Sequence, residues 1–237
     1  MNNWKKIWEN RKNTLDGVDM TNYREVFIAL KRINGFDVNG GPTADSLFRQ
    51  YANTKKTFNL FSVGGGAVFE VGCGAGANLY LFARDGFEVG GLDYSATLID
   101  IAKKILPDAT ELICAGADEL PTDKKYDAVF SNGVFPYFDD FSYAERVLEK
   151  MFTKSRRSIA VLNIYDKELE EVHMNHRRQT IENYDERYRD LPKIFYPRSF
   201  FEDFAARHDL SISFTKNDLE GYGNALFTYH CFMERRN

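Results

Sequence analysis

Apolar residues recur at helical spacing near the start of the chain and at strand-like spacing from residue 67 onward. Val26, Phe27, Leu30 and Ile33 place one apolar stripe on a helix over Tyr23 to Ile33, which Asn34-Gly35 and Gly40-Gly41-Pro42 break. Thr43 stands where it would cap a second helix with Leu47, Phe48, Tyr51 and Ala52 on one face. Ahead of both, Trp4, Trp8 and Arg11 share a helical face. Gly64-Gly65-Gly66 then loosens the chain before the first strand.

Strand and helix signals alternate beyond that point. Short apolar strands are expected at Ala67 to Val71, Phe87 to Leu92, Glu111 to Ala115, Tyr126 to Ser131 and Ser158 to Ile164, with helical segments between them. That order implies parallel βαβ units, whose right-handed crossovers bring the strands' carboxyl ends to one edge, where a ligand belongs. Ser95 caps a helix carrying Leu98, Ile99, Ala102, Ile105 and Leu106, which Pro107 stops. The charged stretch from Asp166 to Asp190 is too long for a plain connection and predicts a partly helical insertion over the site. Ser199 with Glu202 predicts a capping box for a helix that buries Phe200, Phe201 and Phe204. Alternation over Leu210 to Thr215 and Ala225 to Met233 predicts two final antiparallel strands.

The fold class expected is α/β: a doubly wound, Rossmann-like, mostly parallel seven-stranded sheet with antiparallel C-terminal strands, an N-terminal helical cap and an inserted lid. Its parts are a cap over 1–63, a ligand-binding core over 64–165, a lid over 166–192 and a completing helix and strands over 193–237. At 237 residues these form one domain, since single cores commonly run to roughly 250 residues.

Composition narrows the function. Hydrophobic residues are 43% and aromatics 15% of the chain, enough for a core and an apolar pocket and against disorder. A net charge of −4 gives no general attraction to nucleic acid or anionic lipid. Cys73, Cys114 and Cys231 are widely spaced, without a CxxC pair or a His-rich companion, and read as reduced thiols and not as metal ligands. The N-terminus lacks a signal-peptide pattern and no run approaches the ~20 apolar residues of a membrane helix, so a cytoplasmic protein is expected.

Chemistry concentrates at Val68-Phe69-Glu70-Val71-Gly72-Cys73-Gly74-Ala75-Gly76-Ala77-Asn78-Leu79, where a buried strand ends in three alternate glycines and runs into an apolar helix. Glycine lets the backbone turn tightly near a ligand, and the helix N-terminus adds free N–H groups and positive potential. A nucleoside-bearing ligand is implied. Asp93, ending the second strand, suits a ribose because a carboxylate accepts from two hydroxyls. The glycines also satisfy the looser dinucleotide fingerprint, so alone they do not separate a nicotinamide enzyme from a methyltransferase.

Three further features tip the balance: Glu70 before the glycines, Ala115-Gly116-Ala117-Asp118-Glu119-Leu120-Pro121 after the third strand, and Ser131-Asn132-Gly133-Val134-Phe135-Pro136-Tyr137-Phe138 after the fourth. Together they resemble the class I S-adenosylmethionine-dependent methyltransferase family of small-molecule type, over roughly Ala67 to Ile164. The resemblance implies S-adenosyl-L-methionine as cofactor and S-adenosyl-L-homocysteine as product. Gly72, Gly74 and Gly76 would lie against its methionine and ribose parts, with Glu70, Cys73 and Asn78 beside them. Asp93 would hold the ribose, Tyr94 or Leu98 would flank the adenine, and Asp118 with the Ala117 N–H would meet its edge. Ser131 and Asn132 would complete the cofactor site from the fourth strand.

In this family the cap often covers the methionine end, which brings in Trp8, Arg11 and Tyr51. The chain departs from the family where Ala115-Gly116-Ala117 replaces Gly-Asp-Ala, and where Pro136-Tyr137 replaces a His pair. Tyr137 and His173 are the candidate catalytic residues, Tyr137 as an orienting hydroxyl or pocket wall and His173 as a base. The function expected is methyl transfer to N or O of a small-molecule acceptor, with no nucleic acid or membrane partner. A non-catalytic S-adenosylmethionine-binding partner protein and an NAD(P)-dependent oxidoreductase are the alternatives.

Overall fold

Where a strand is covered on both faces it reads as a near-continuous apolar run, and β1 (Ala67–Val71) is buried at every position and apolar at all but Glu70. The structure, a computed structural model, describes residues 3–9, 14–36, 41–58 and 66–236. Three helices precede β1: α1 (Asn3–Glu9), α2 (Tyr23–Ile33) and α3 (Ala44–Thr57). Asn22 caps α2 by accepting from the Arg24 N–H, and Thr43 caps α3 by accepting from the Ser46 N–H. Both caps satisfy amides that a helix start leaves without partners.

The alternating run follows as α4 (Ala77–Arg84), β2 (Glu88–Asp93), α5 (Ala96–Ile105), β3 (Glu111–Cys114), β4 (Tyr126–Asn132), α6 (Phe141–Lys154) and β5 (Ser155–Tyr165). Then come α7 (Glu170–Thr180), the single turn α8 (Tyr184–Arg187), α9 (Arg198–Arg207), β6 (Leu210–Lys216) and β7 (Thr228–Arg235). The seven strands form one sheet in the order β3-β2-β1-β4-β5-β7-β6. The first five pair in parallel, and β7 runs antiparallel between β5 and β6. The fold is therefore the doubly wound, Rossmann-like sheet with antiparallel C-terminal strands that the pattern predicts.

The pleat sends alternate side chains to opposite layers. Phe69 and Val71 of β1 join Val129, Leu148, Met151, Phe201 and Phe204 on one side. Val68 packs with Leu79, Phe82, Ile99 and Phe130 on the other. A third cluster ties α2 and α3 to the helices beyond the glycine loop, through Phe27, Leu30, Leu47, Ala77 and Leu98. The strand order reverses between β1 and β4, so the crevice of a doubly wound sheet opens at their carboxyl ends.

Two local expectations fail. Ser199 does not cap its helix: the N-cap is Pro197, two residues earlier, at φ −69°, a value the proline ring fixes in advance, and α9 begins at Arg198. The Ser199–Glu202 capping box therefore has no helix end to cap. Residues Ala225–Phe227 form a 3-10 turn, and the last strand starts only at Thr228. No helix among the described residues is long and apolar enough to cross a membrane.

Candidate functional site

At the carboxyl end of β1 the chain turns through Gly72 (φ +76°), Gly74 (φ +54°) and Gly76 (φ +81°), in the left-handed region that favours glycine. Neighbouring side chains use the space that a Cβ would take. A Cβ on Gly72 would lie 2.3 Å from Val134, and one on Gly74 would lie 2.4 Å from the Asn34 amide oxygen. Gly72 and Gly74 also line a cavity of about 790 Å³, within the range of cofactor and small-molecule sites. Gly76 sits behind them as the α4 N-cap and does not line it.

Asn34, the last residue of the α2 cap, anchors the loop from above. Its Oδ1 accepts from the Ala75 N–H at 2.7 Å, and its Nδ2 approaches the Cys73 carbonyl at 3.4 Å. Asp93 anchors it from below, with Oδ2 accepting from Gly74 N–H and Oδ1 from Ser95 N–H, each at 2.9 Å. Burial raises the Asp93 carboxyl, and the N–H groups of Ser95 and Gly74 pull it back in part. Each oxygen keeps a lone pair for a donor arriving from the cavity.

Glu70, Asn78 and Lys31 form a buried chain beside the glycines. Lys31 Nζ donates to Asn78 Oδ1 at 2.7 Å, and Asn78 Nδ2 donates to Glu70 Oε1 at 2.5 Å. Burial pushes the Glu70 carboxyl up to about 8 and the Lys31 ammonium down to about 8. Glu70 Oε2 is buried and has no hydrogen-bond partner among the described residues. All three side chains line the cavity, so this end offers one unsatisfied acceptor and one cation.

Tyr94, Leu98, Gly116 and Ala117 line the stretch beyond Asp93. The wall also includes Trp4, Trp8, Tyr137 and Phe138, joined by Asn132, Asn163, Tyr165, Arg177, Tyr188, Tyr222 and Asn224. Trp4 and Trp8 meet the Tyr137 ring edge-on at 4.7 and 6.0 Å, and Trp4 Nε1 donates to the Pro192 carbonyl at 2.8 Å. The N-terminal helix and the segment after α8 therefore close over Tyr137 together.

Of the residues the sequence singles out, the structure gathers Trp8, Glu70, Gly72, Gly74, Asn78, Asp93, Tyr94, Leu98, Ala117, Asn132 and Tyr137 around this cavity. Others lie elsewhere. Tyr51 packs on Phe82 and donates to Asp85 Oδ2 at 2.7 Å, away from the cavity. Asp118 accepts from Tyr143 Oη at 3.0 Å and so faces α6. Cys73 is buried beneath the loop, against Gly91, and burial pushes its thiol well up. Ser131 is fully buried with no partner for its hydroxyl.

His173 is enclosed by Tyr165, Phe195 and Phe227, with Nε2 3.4 Å from Asn224 Oδ1. Burial, with Lys193 nearby, pushes it down to about 4, and Asn224 stands between it and the main cavity. Arg11 lies outside the described residues. Lys31, Asn34, Asn163 and Arg177 line the cavity and the sequence reading does not place them there, Asn34 entering it only as a helix breaker. Lys31 leaves one local signal, a cation within the apolar stripe Phe27, Leu30, Ile33.

Residues 68–158 match the family model described as a methyltransferase domain. A malonyl-[acyl-carrier protein] O-methyltransferase of Priestia megaterium is 31% identical over 87 residues, 35% of this chain and 32% of that protein. A second enzyme of that name, from Ilyobacter polytropus, is 29% identical over 117 residues, 46% of this chain and 44% of its own. The chain thus spans less than half the length of these curated relatives. The fold extends over the whole chain in the plantazolicin methyltransferase BpumL, solved with a pentazolic desmethylPZN analog and SAH, at a TM-score of 0.60, 15% identity and full coverage of both chains.

Proposed function

We propose that this chain, a class I S-adenosylmethionine-dependent methyltransferase by its fold and matched segment, transfers a methyl group to N or O of a small acceptor bound under the N-terminal helix and the lid. The observation that carries this reading is the unsatisfied Glu70 Oε2 beside Lys31, at the glycine end of a cavity that continues to Asp93. A buried acceptor without a partner costs roughly 1–3 kcal/mol. The α-ammonium of a methionine moiety satisfies it, and the matching α-carboxylate suits Lys31. Asp93 has the lone pairs for two ribose hydroxyls, and Tyr94 and Leu98 provide flat apolar flanks for a purine. The donor set therefore fits S-adenosylmethionine.

When bound, that cofactor supplies a methyl group already activated on a sulfonium. The chain's own residues then have to position the acceptor and exclude water, and positioning alone is worth roughly 7–11 kcal/mol in favourable cases. Trp4, Trp8 and Tyr137 form the cover, pinned through the Trp4–Pro192 hydrogen bond. Asn132 is held by the Asn163 Nδ2, which donates to its Oδ1, so its own amide N–H groups are directed elsewhere. His173 stays neutral and sits behind Asn224, which leaves no histidine base on the acceptor side among the described residues. Tyr137 orients the acceptor.

The test is a thermal-shift titration of the purified chain with S-adenosylhomocysteine, NAD and NADP. Only S-adenosylhomocysteine should stabilise, by about 2.7 kcal/mol at a hundredfold excess over its Kd. Stabilisation by NAD or NADP alone would move the chain to the oxidoreductases. Binding without turnover on a broad metabolite panel would make it a partner protein.

A further inference from the structure

Arg177 lines the cavity, Lys193 packs behind its Trp4, Tyr137 and Tyr165 wall, and among the described residues no carboxylate forms an ion pair with either. Arg177, on α7, has its guanidinium carbon 5.4 Å from the Tyr184 ring centre and 5.3 Å from that of Tyr188. Those two rings are themselves stacked at 4.8 Å, so they grip the guanidinium by cation–π attraction and leave its N–H edge unused. Arg177 Nε is buried without a hydrogen-bond partner.

Lys193 stands close by. Its Nζ lies 4.8 Å from the Tyr165 ring centre and 5.9 Å from that of Tyr137, and it donates to Tyr165 Oη at 3.2 Å. The carboxylates that line the cavity are Glu70, Asp93 and Asp139, and none is within 4.0 Å of either cation. Burial and the charge of Arg177 push the Lys193 ammonium down to about 8.

Two partly buried like charges held near each other are unfavourable until an anion joins them. A guanidinium with a free planar edge pairs with oxyanions through two parallel hydrogen bonds, the strongest polar contacts a side chain makes. The wall of this compartment carries the flat rings of Trp8, Tyr137, Phe138, Tyr188 and Tyr222, with the amides of Asn132, Asn163 and Asn224 among them. Aromatic walls favour a flat ligand body.

The geometry points to an acidic acceptor: a small molecule with a flat, apolar body whose carboxylate or phosphate docks on the free edge of Arg177, with Lys193 behind the Tyr165 and Tyr137 rings adding its charge from outside the cavity wall. This rests on the methyl-transfer reading only for the word acceptor, because the oxyanion site is defined by Arg177, Lys193 and the aromatic wall alone. The anion anchors the molecule; its orientation under Tyr137 follows from that anchor.

The experiment is calorimetric titration of the full chain, with and without saturating S-adenosylhomocysteine, using 4-hydroxycinnamate, 4-nitrophenyl phosphate and the neutral 4-hydroxycinnamamide as probes. At least one oxyanion should bind tenfold or more tightly than the amide, and whether it is the carboxylate or the phosphate identifies the anion. Arg177→Met should abolish that preference while S-adenosylhomocysteine affinity stays within about twofold, since the contacts of Arg177 are to the Tyr184 and Tyr188 rings and not to the glycine loop, Asp93, Glu70 or Lys31. Lys193→Met should reduce the preference severalfold, which keeps the test decisive if Arg177→Met does not fold. The site is overturned if neither oxyanion outbinds the amide, or if the preference survives in Arg177→Met. Failure of S-adenosylhomocysteine to bind would instead remove the methyl-transfer reading and leave the oxyanion arm to be read on the free protein.

Discussion

At the scale of single residues, Asp93 does two things that Tyr51 does not. Its carboxylate holds the Gly74 and Ser95 amides, which fixes the loop, and it still faces the cavity. Asp93→Asn keeps the shape but places an N–H group against one of those amides, so it should weaken S-adenosylhomocysteine binding at least about tenfold, the equivalent of a charge-assisted hydrogen bond of roughly 1.5–3 kcal/mol. Tyr51→Phe breaks the bonds to Asp85 and to the Leu81 carbonyl, both away from the cavity, and should leave affinity unchanged. Calorimetry settles both, and an Asp93→Asn protein that binds as the parent does would take Asp93 out of the site. The contrast also marks what a sequence can carry. Asp93 ends a strand next to a glycine loop, so its place follows from local pattern. Lys31, Asn34 and Arg177 reach the cavity from distant segments, and only the packing of α2 and α7 brings them there.

At the scale of elements, β5 carries an unusual kink. Asn163 is buried with φ +57°, at a register shift between Val161 and Ile164, and its N–H turns away from the ladder to donate to His230 Nδ1 at 3.0 Å. Its side chain accepts from Asn217 Nδ2 at 2.6 Å and donates to Asn132. Asparagine tolerates the left-handed region better than most residues, and a bulge next to a site re-aims side chains into it. Asn163→Gly keeps the backbone conformation and loses both side-chain bonds. Asn163→Ala loses them too and adds about 1–2 kcal/mol of left-handed strain. Alanine should therefore be less stable than glycine here, the reverse of their usual order in strands, and urea unfolding of the two variants measures it. An alanine variant more stable than the glycine one would show that the kink is not intrinsic to β5.

Strand positions were legible because buried parallel strands are apolar runs between helices, whatever their partners. The kink was not, since Asn163 reads in sequence as one polar residue among Val161, Leu162 and Ile164. The early start of α9 was missed for a similar reason. Ser199 and Glu202 have the composition of a capping box, yet Tyr196 is already held by the Tyr165 carbonyl, and Pro197 then sets the helical entry.

At the scale of the whole molecule, the two buried histidines make stability depend on pH in a known direction. His173 is held down to about 4 by burial, with Lys193, Arg177 and His176 adding to the effect and Asn224 opposing it. His230 is held down to about 4 by burial as well, against the opposing charge of Asp218, and its Nδ1 must stay unprotonated to accept from Asn163. In the unfolded chain both titrate near their ordinary value of about 6.5. Above that value neither state binds the proton and the full contribution is present. As pH falls from about 6.5 to about 4 the unfolded chain takes up protons that the folded chain refuses, so stability declines, by at most about 1.4 kcal/mol per pH unit for each histidine. Below about 4 both states are protonated and the decline from these groups stops. Glu70 and Asp93, whose carboxyls burial raises, act in the opposite sense as they take up protons, so the histidine contribution is read as a difference between variants. His230→Asn retains an acceptor for the Asn163 amide and His173→Gln retains a polar tip towards Asn224, and neither titrates. The double variant should lose stability less steeply than the parent between pH 6.5 and 4, with each single variant in between. Urea unfolding across that range tests it, and a double variant with the parent's slope would mean that the folded protein accommodates both imidazolium ions.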